Sequence, residues 1–166
     1  MGFPVRVRVP PYPFFHLRGG KGGEMKKRIG ELLLDIECIN RNRLNKALKK
    51  QNKISKMIGE VLILLGYVNE EVVLSLLGKQ LGYPYISLSE FDDFQPEIVK
   101  EVPYEIAKRE VLVPLKKEKG CLVVAMAYPQ RHRVKVILEK VIGCKIKPCI
   151  ASKNEIKSFI EKYYEY

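Results

Sequence analysis

Residues 28–51 and 57–80 align with one another at an offset of about 29 residues, a spacing at which an internal repeat sets the architecture. The alignment pairs Ile29 with Ile58, Gly30 with Gly59, Glu31 with Glu60 and Leu33 with Leu62. It runs on through Ile39 and Val68, Asn40 and Asn69, Leu44 and Val73, and Leu48 and Leu77, to Gln51 and Gln80. Each copy reads as a short apolar helix opened by Gly-Glu, a break, an Asn able to accept from free helix N–H groups, and a second amphipathic helix. The expected product is a duplicated helical hairpin.

At 166 residues the chain has room for one domain or two small lobes sharing a core, and no staples are needed at that size. Cys38, Cys121, Cys144 and Cys149 form no C-x-x-C pair, so neither a zinc site nor a secreted disulfide frame is indicated, and they read as buried thiols. The longest apolar run, residues 121–128, is far short of the roughly 20 residues a membrane-spanning helix needs. A net charge of +11 attracts nucleic acid, nucleotides or an anionic membrane surface. The excess is spread through several clusters, as solvated helix faces also require.

Residues 1–24 alternate Pro with Val, Arg and Phe and then run Arg18-Gly19-Gly20-Lys21-Gly22-Gly23. This composition favours a mobile extension, with the fold beginning near Met25. A phosphate loop would place Ser or Thr after its lysine, whereas Gly22 follows Lys21.

Helices are expected from about Lys27 to Ile36 and from the Asn40 cap to Gln51. A third covers Ile58 to Leu65, stopped by Gly66, and a fourth runs from the Asn69 cap to near Gly82. From Tyr83 the texture changes. Tyr85, Ile86 and Leu88 suit a short extended segment, and Pro96 and Pro103 suit the first turns of short helices. Residues 111–116 and 121–127 form a strand pair around Glu118-Lys119-Gly120. A helix over 130–141, a third strand over 145–151, and a last helix opened by a Ser152/Glu155 capping box complete the chain. The fold class is therefore α+β: duplicated helical hairpins (25–82) packed on a small α/β lobe of about three strands (83–166).

No catalytic constellation emerges, and an enzyme is not expected. His16 and His132 lack a neighbouring nucleophile and acid in recognisable spacing. Glu90, Asp92 and Asp93 read as a solvated acidic turn.

Several motifs together resemble one family. They are Arg-Ile-Gly-Glu-Leu-Leu (28–33), Ile-Gly-Glu-Val-Leu (58–62), Gln-Leu-Gly-Tyr-Pro-Tyr (80–85), Val-Pro-Leu (113–115), Leu-Val-Val-Ala-Met-Ala-Tyr-Pro (122–129) and Ile-Glu-Lys-Tyr-Tyr (160–164). In this order they look like the MshEN domain, the N-terminal domain of ATPases that drive type II secretion and type IV pilus assembly. The resemblance covers residues 25–166. It implies a bacterial, cytoplasmic regulatory domain without its motor, since no Walker motif occurs in the sequence.

The resemblance further implies cyclic di-GMP as ligand, no metal, and binding across the two copies. Partners would be the secretion or pilus assembly ATPase and its inner-membrane platform proteins. Arg28 would present two donors to a guanine edge, and Gly30 and Gly59 would let backbone approach the ligand. Ile29, Ile58, Leu44, Leu48, Val73 and Leu77 would supply apolar walls, and Gln51 and Gln80 amide hydrogen bonds. Three positions depart from the pattern: Met57 opens the second copy in place of a base, Glu37 replaces a glycine, and Tyr128 replaces an acid. A phenol cannot offer a guanine edge the two acceptor oxygens of a carboxylate. Two other readings remain open, a ligand-free adaptor in the same system and a basic nucleic-acid binder, the latter without any recognition motif.

Overall fold

The computed structural model describes residues 27–129 and 132–164; the Pro/Gly-rich extension lies outside them. The order is α1 (Ile29–Asp35), α2 (Arg41–Gln51), α3 (Ile58–Leu64), α4 (Glu70–Leu81), α5 (Tyr104–Glu110), β1 (Leu112–Glu118), β2 (Cys121–Met126), α6 (His132–Ile142), β3 (Lys145–Ile150) and α7 (Lys153–Tyr163). Two 3₁₀ turns, Leu88–Glu90 and Pro96–Glu101, sit between α4 and α5. The fold is α+β, with four N-terminal helices and a three-stranded C-terminal lobe.

The four helices share a core of Leu33, Ile39, Ala47, Val61, Leu62, Val68, Val73 and Leu76. The copies are interlocked, because α2 packs along α3 and α1 along α4. Within each copy the two helices meet at the glycine: a Cβ on Gly30 would lie 2.9 Å from Leu44 Cδ1, and one on Gly59 would lie 2.8 Å from Val73 Cγ1. Each Gly-Glu motif also fixes its own helix start. The Glu31 carboxylate accepts from the Arg28 N–H at 2.7 Å, and Glu60 accepts from the Met57 N–H at 2.9 Å, satisfying backbone donors that a helix leaves open.

The expected asparagine caps divide. Asn40 Oδ1 accepts from the Arg43 N–H at 2.9 Å, but Asn69 makes no side-chain cap bond. Glu70 and Glu71 in the first turn of α4 supply favourable charge there instead. Gly66 and Glu37 end α3 and α1 in equivalent left-handed conformations, at φ +66° and +53°. A left-handed L-residue costs roughly 1–2 kcal/mol. Glu37→Gly is therefore expected to stabilise the protein by about 1 kcal/mol, read as a higher urea midpoint at constant slope.

In the second lobe β2 is central, antiparallel to β1 and parallel to β3. Lys119 and Gly120 turn the β1–β2 hairpin with φ +50° and +75°, the sign that a tight two-residue loop requires to match strand twist. The parallel pair needs a crossover, and α6 provides it. Buried residues of all three strands, including Leu112, Leu122, Val124, Ile146 and Cys149, form a second core with Leu138 of α6 and Ile156 of α7. The lobes are joined by the return of the chain after α4. Ile150 donates to Pro84 O at 2.7 Å and Ile86 donates to Ile150 O at 2.8 Å, adding residues 84–86 to the free edge of β3.

The capping box at α7 is only half formed. Ser152 Oγ accepts from the Asn154 N–H and donates to Glu70 Oε2 at 3.0 Å, tying α7 to α4. Glu155 turns away and accepts from the Ser87 and Ser89 hydroxyls and the Ser89 N–H. Of the four cysteines only Cys149 is buried, and Cys38, Cys121 and Cys144 are half-buried. Burial pushes the Cys149 thiol up to about 12. Thiol labelling at neutral pH should accordingly reach Cys149 last, checked by mapping modified peptides against time.

Candidate functional site

The two copies close on each other through their final glutamines. Gln51 Nε2 donates to Lys56 O at 3.0 Å, and Gln80 Nε2 donates to Lys27 O at 2.9 Å. These bonds are equivalent under the repeat offset, so each glutamine at the end of one copy holds the backbone just ahead of the other. The relation is that of a two-fold axis through the helical unit, and it brings Gln51 beside Met57 and Gln80 beside Arg28.

Around this axis the sequence-assigned positions separate into three groups. Gly30, Gly59 and Val73 are buried, and Ile29, Leu44, Ile58 and Leu77 are half-buried. Leu44 and Val73 cover the two glycines. Arg28 is exposed, as is Leu48 at 42%. Gln51, Gln80 and Tyr128 are half-buried.

Two clefts draw on these residues. One, of ≈ 490 Å³, is walled by Gln51, Ile54, Lys56, Met57, Glu60 and Tyr128. It lies between the start of the second copy and the loop that follows β2, so a residue of the α/β lobe forms one wall of a cleft on the helical unit. The other, of ≈ 1190 Å³, is broader, and includes Arg28, Glu31, Asp35, Glu37, Arg41 and Arg43. Arg28 and Tyr128 therefore face different clefts. Among the described residues no group of three or more His, Cys, Asp or Glu side chains is placed to hold a metal. No described helix is long and apolar enough to cross a membrane.

Three features of the site escaped the sequence reading. Glu31 and Glu60 hold the N-termini of α1 and α3, and their signal was available as an acid three residues into each helix, though without the Ser or Thr that usually announces it. Gly78 is the third: a Cβ there would meet Tyr83 O at 2.5 Å. Only the folded return of the chain gives that position its meaning.

Fold and clefts define a duplicated helical module whose second copy packs against a small α/β lobe. The family model described as the MshEN domain matches residues 81–166. The type IV pilus assembly ATPase PilB of Myxococcus xanthus is 36% identical over 140 residues, which are 84% of this chain and 25% of that protein. PilB of Thermus thermophilus is 26% identical over 140 residues, 83% of this chain and 16% of that one. Among solved structures, MshE with cdg superposes with a TM-score of 0.72 at 26% identity, covering 83% of this chain and 99% of that one. The N-terminal domain of XpsE gives a TM-score of 0.62 at 22% identity over 88% of this chain and 100% of that one, a likeness of fold alone. The chain belongs to the MshEN domain family. It spans a quarter or less of the length of its PilB relatives.

Proposed function

We propose that this chain is a nucleotide-responsive regulatory module that binds cyclic di-GMP and acts on a type IV pilus assembly or type II secretion ATPase. The observation that carries the reading is the reciprocal closure of the two copies, Gln51 onto Lys56 and Gln80 onto Lys27. A two-fold dianion with two purines is matched by a two-fold protein unit that offers one copy to each half. The likeness to MshE with cdg supports the same ligand.

On this reading Arg28 takes a guanine edge, and Ile29, Gly30, Leu44, Leu48, Ile58, Gly59, Val73 and Leu77 form the walls. Gln51, Gln80 and Tyr128 supply polar contacts, and no metal takes part. The module is not itself an enzyme. It works in the cytoplasm, held at the inner membrane by the ATPase and its platform proteins, and nucleic acid is not its partner.

A second reading, an adaptor that has lost the ligand, is favoured by one observation: a phenol, Tyr128, stands in the smaller cleft where an acid would serve a guanine. Calorimetric titration with cyclic di-GMP, GMP and ATP separates the two. Wild type should bind cyclic di-GMP selectively, and Arg28→Ala should lose about 1–3 kcal/mol of binding, the worth of a bidentate Arg–guanine pair, with melting nearly unchanged. Tyr128→Asp should strengthen binding. Absence of cyclic di-GMP binding by all three proteins would install the adaptor reading.

A further inference from the structure

The two copies differ most in the charge of their second helices. α2 carries Arg41, Arg43, Lys46, Lys49 and Lys50 and no acid, whereas α4 carries Glu70, Glu71 and Lys79. Both helices bury the same side, since Leu44 and Ala47 of α2 correspond to Val73 and Leu76 of α4. The shared fold therefore does not require the five cations. They lie on the outward half of α2 with Asn42 and Asn45, and all seven residues are exposed. Lys53, one turn on, is exposed as well.

The equivalent face of α4 is occupied. Lys49 corresponds to Gly78, over which the backbone of Tyr83 passes, and α4 also packs on β3. A lysine in place of that glycine prevents the same close covering of α2. Arg43 stacks on Tyr67, 5.3 Å from the ring centroid. Arg41, Lys46, Lys49, Lys50 and Lys53 form no ion pair among the described residues. Among the described residues the result is an exposed helix face of one sign, whose Arg41 and Arg43 border the larger cleft with Glu31, Asp35 and Glu37.

We infer that the outward face of α2 is an adsorption surface for an anionic lipid bilayer. Lysine dominates this face, and lysine is depleted in protein–protein interfaces, whose centres are aromatic and apolar. No aromatic side chain stands on it, and single-stranded nucleic acids are held by stacking bases on aromatics. A lipid headgroup layer asks only for cations close together on a convex surface, and clusters of four to eight Lys or Arg on a helix satisfy it. The attraction is electrostatic, without insertion, because the apolar residues of α2, Leu44, Ala47 and Leu48, lie off this face, with Leu44 and Ala47 in the core.

The test is co-sedimentation of the full chain with phosphatidylethanolamine vesicles, with and without phosphatidylglycerol. The wild type should bind the anionic vesicles, release at high salt, and ignore the neutral ones. Replacing Lys46, Lys49, Lys50 and Lys53 together by Gln should weaken binding by up to roughly a thousandfold while leaving the melting curve in place. A control with the same charge loss, Lys100, Lys140, Lys153 and Lys157 to Gln, should bind within about threefold of wild type. No binding by the wild type, or equal loss in both variants, would overturn the inference. Tighter binding to single-stranded RNA at the same salt, lost with the same four lysines, would overturn it in favour of nucleic acid.

Discussion

Gly78→Ala should destabilise the protein by about 2 kcal/mol or more, even though alanine is the better helix former by about 1 kcal/mol. The new methyl would sit 2.5 Å from the carbonyl oxygen of Tyr83 and 3.5 Å from the Tyr85 nitrogen. Both are backbone atoms, and neither can turn aside as a side-chain end could. The Tyr83 N–H donates to Gly78 O at 2.9 Å, and Pro84 O and the Ile86 N–H are engaged with Ile150. The segment is thus held to α4 on one side and to β3 on the other, so relief of the clash must break one attachment. Overpacking of this kind costs typically 1–3 kcal/mol and occasionally more. Gly82→Ala is the control. No atom lies within 4 Å of its added Cβ, but φ is +76°, so only the left-handed conformation is penalised. Chemical denaturation of both variants measures the difference, and a stabilised Gly78→Ala would mean that the chain does not pass over α4 at that point.

Leu33→Ala and Leu62→Ala should each cost about 2–5 kcal/mol, and nearly the same amount as one another. The two leucines occupy equivalent positions, and both are fully buried in the helical core. A truncated leucine loses its transfer free energy and leaves a cavity whose cost depends on how far the neighbours can relax. Because the surroundings are also duplicated, the relaxation should be similar, and the costs should agree within about 1 kcal/mol. A much smaller loss at Leu33 would place the first copy outside the cooperative core. The pair of urea curves gives the answer, with the slope checking that each transition stays two-state.

Much of this fold was legible because the sequence states half of it twice. Apolar spacing located the four helices, Gly66 and Gly82 marked two of their ends, and Lys119-Gly120 marked the hairpin. Other features depend on atoms distant in sequence. The bond from Gln80 to Lys27 and the capture of Glu155 by Ser87 and Ser89 cannot be read from local pattern, and the latter undid an otherwise sound capping motif. Asn69 had the right residue type, but with two acids following it the helix start gained favourable charge without its side chain. Glu37 was visible as a departure from glycine, although its left-handed backbone was not. For the candidate site, residue types suggested which groups could meet a ligand, yet only the fold distributes Arg28 and Tyr128 between separate clefts.

The glutamine bonds make each repeat the other's missing subunit. Gln51 reaches forward across a short loop, but Gln80 reaches back to a residue that no neighbouring stretch of chain supplies. A polypeptide holding one repeat alone would leave its glutamine, and the flank of its first helix, unmet until it found a second molecule related by two-fold symmetry. Its folding would then depend on protein concentration, as it does for an obligate dimer. Joining the two in one chain removes that dependence. It also frees the halves to differ, and one second helix has become the seat of a neighbouring lobe while the other has become a row of lysines.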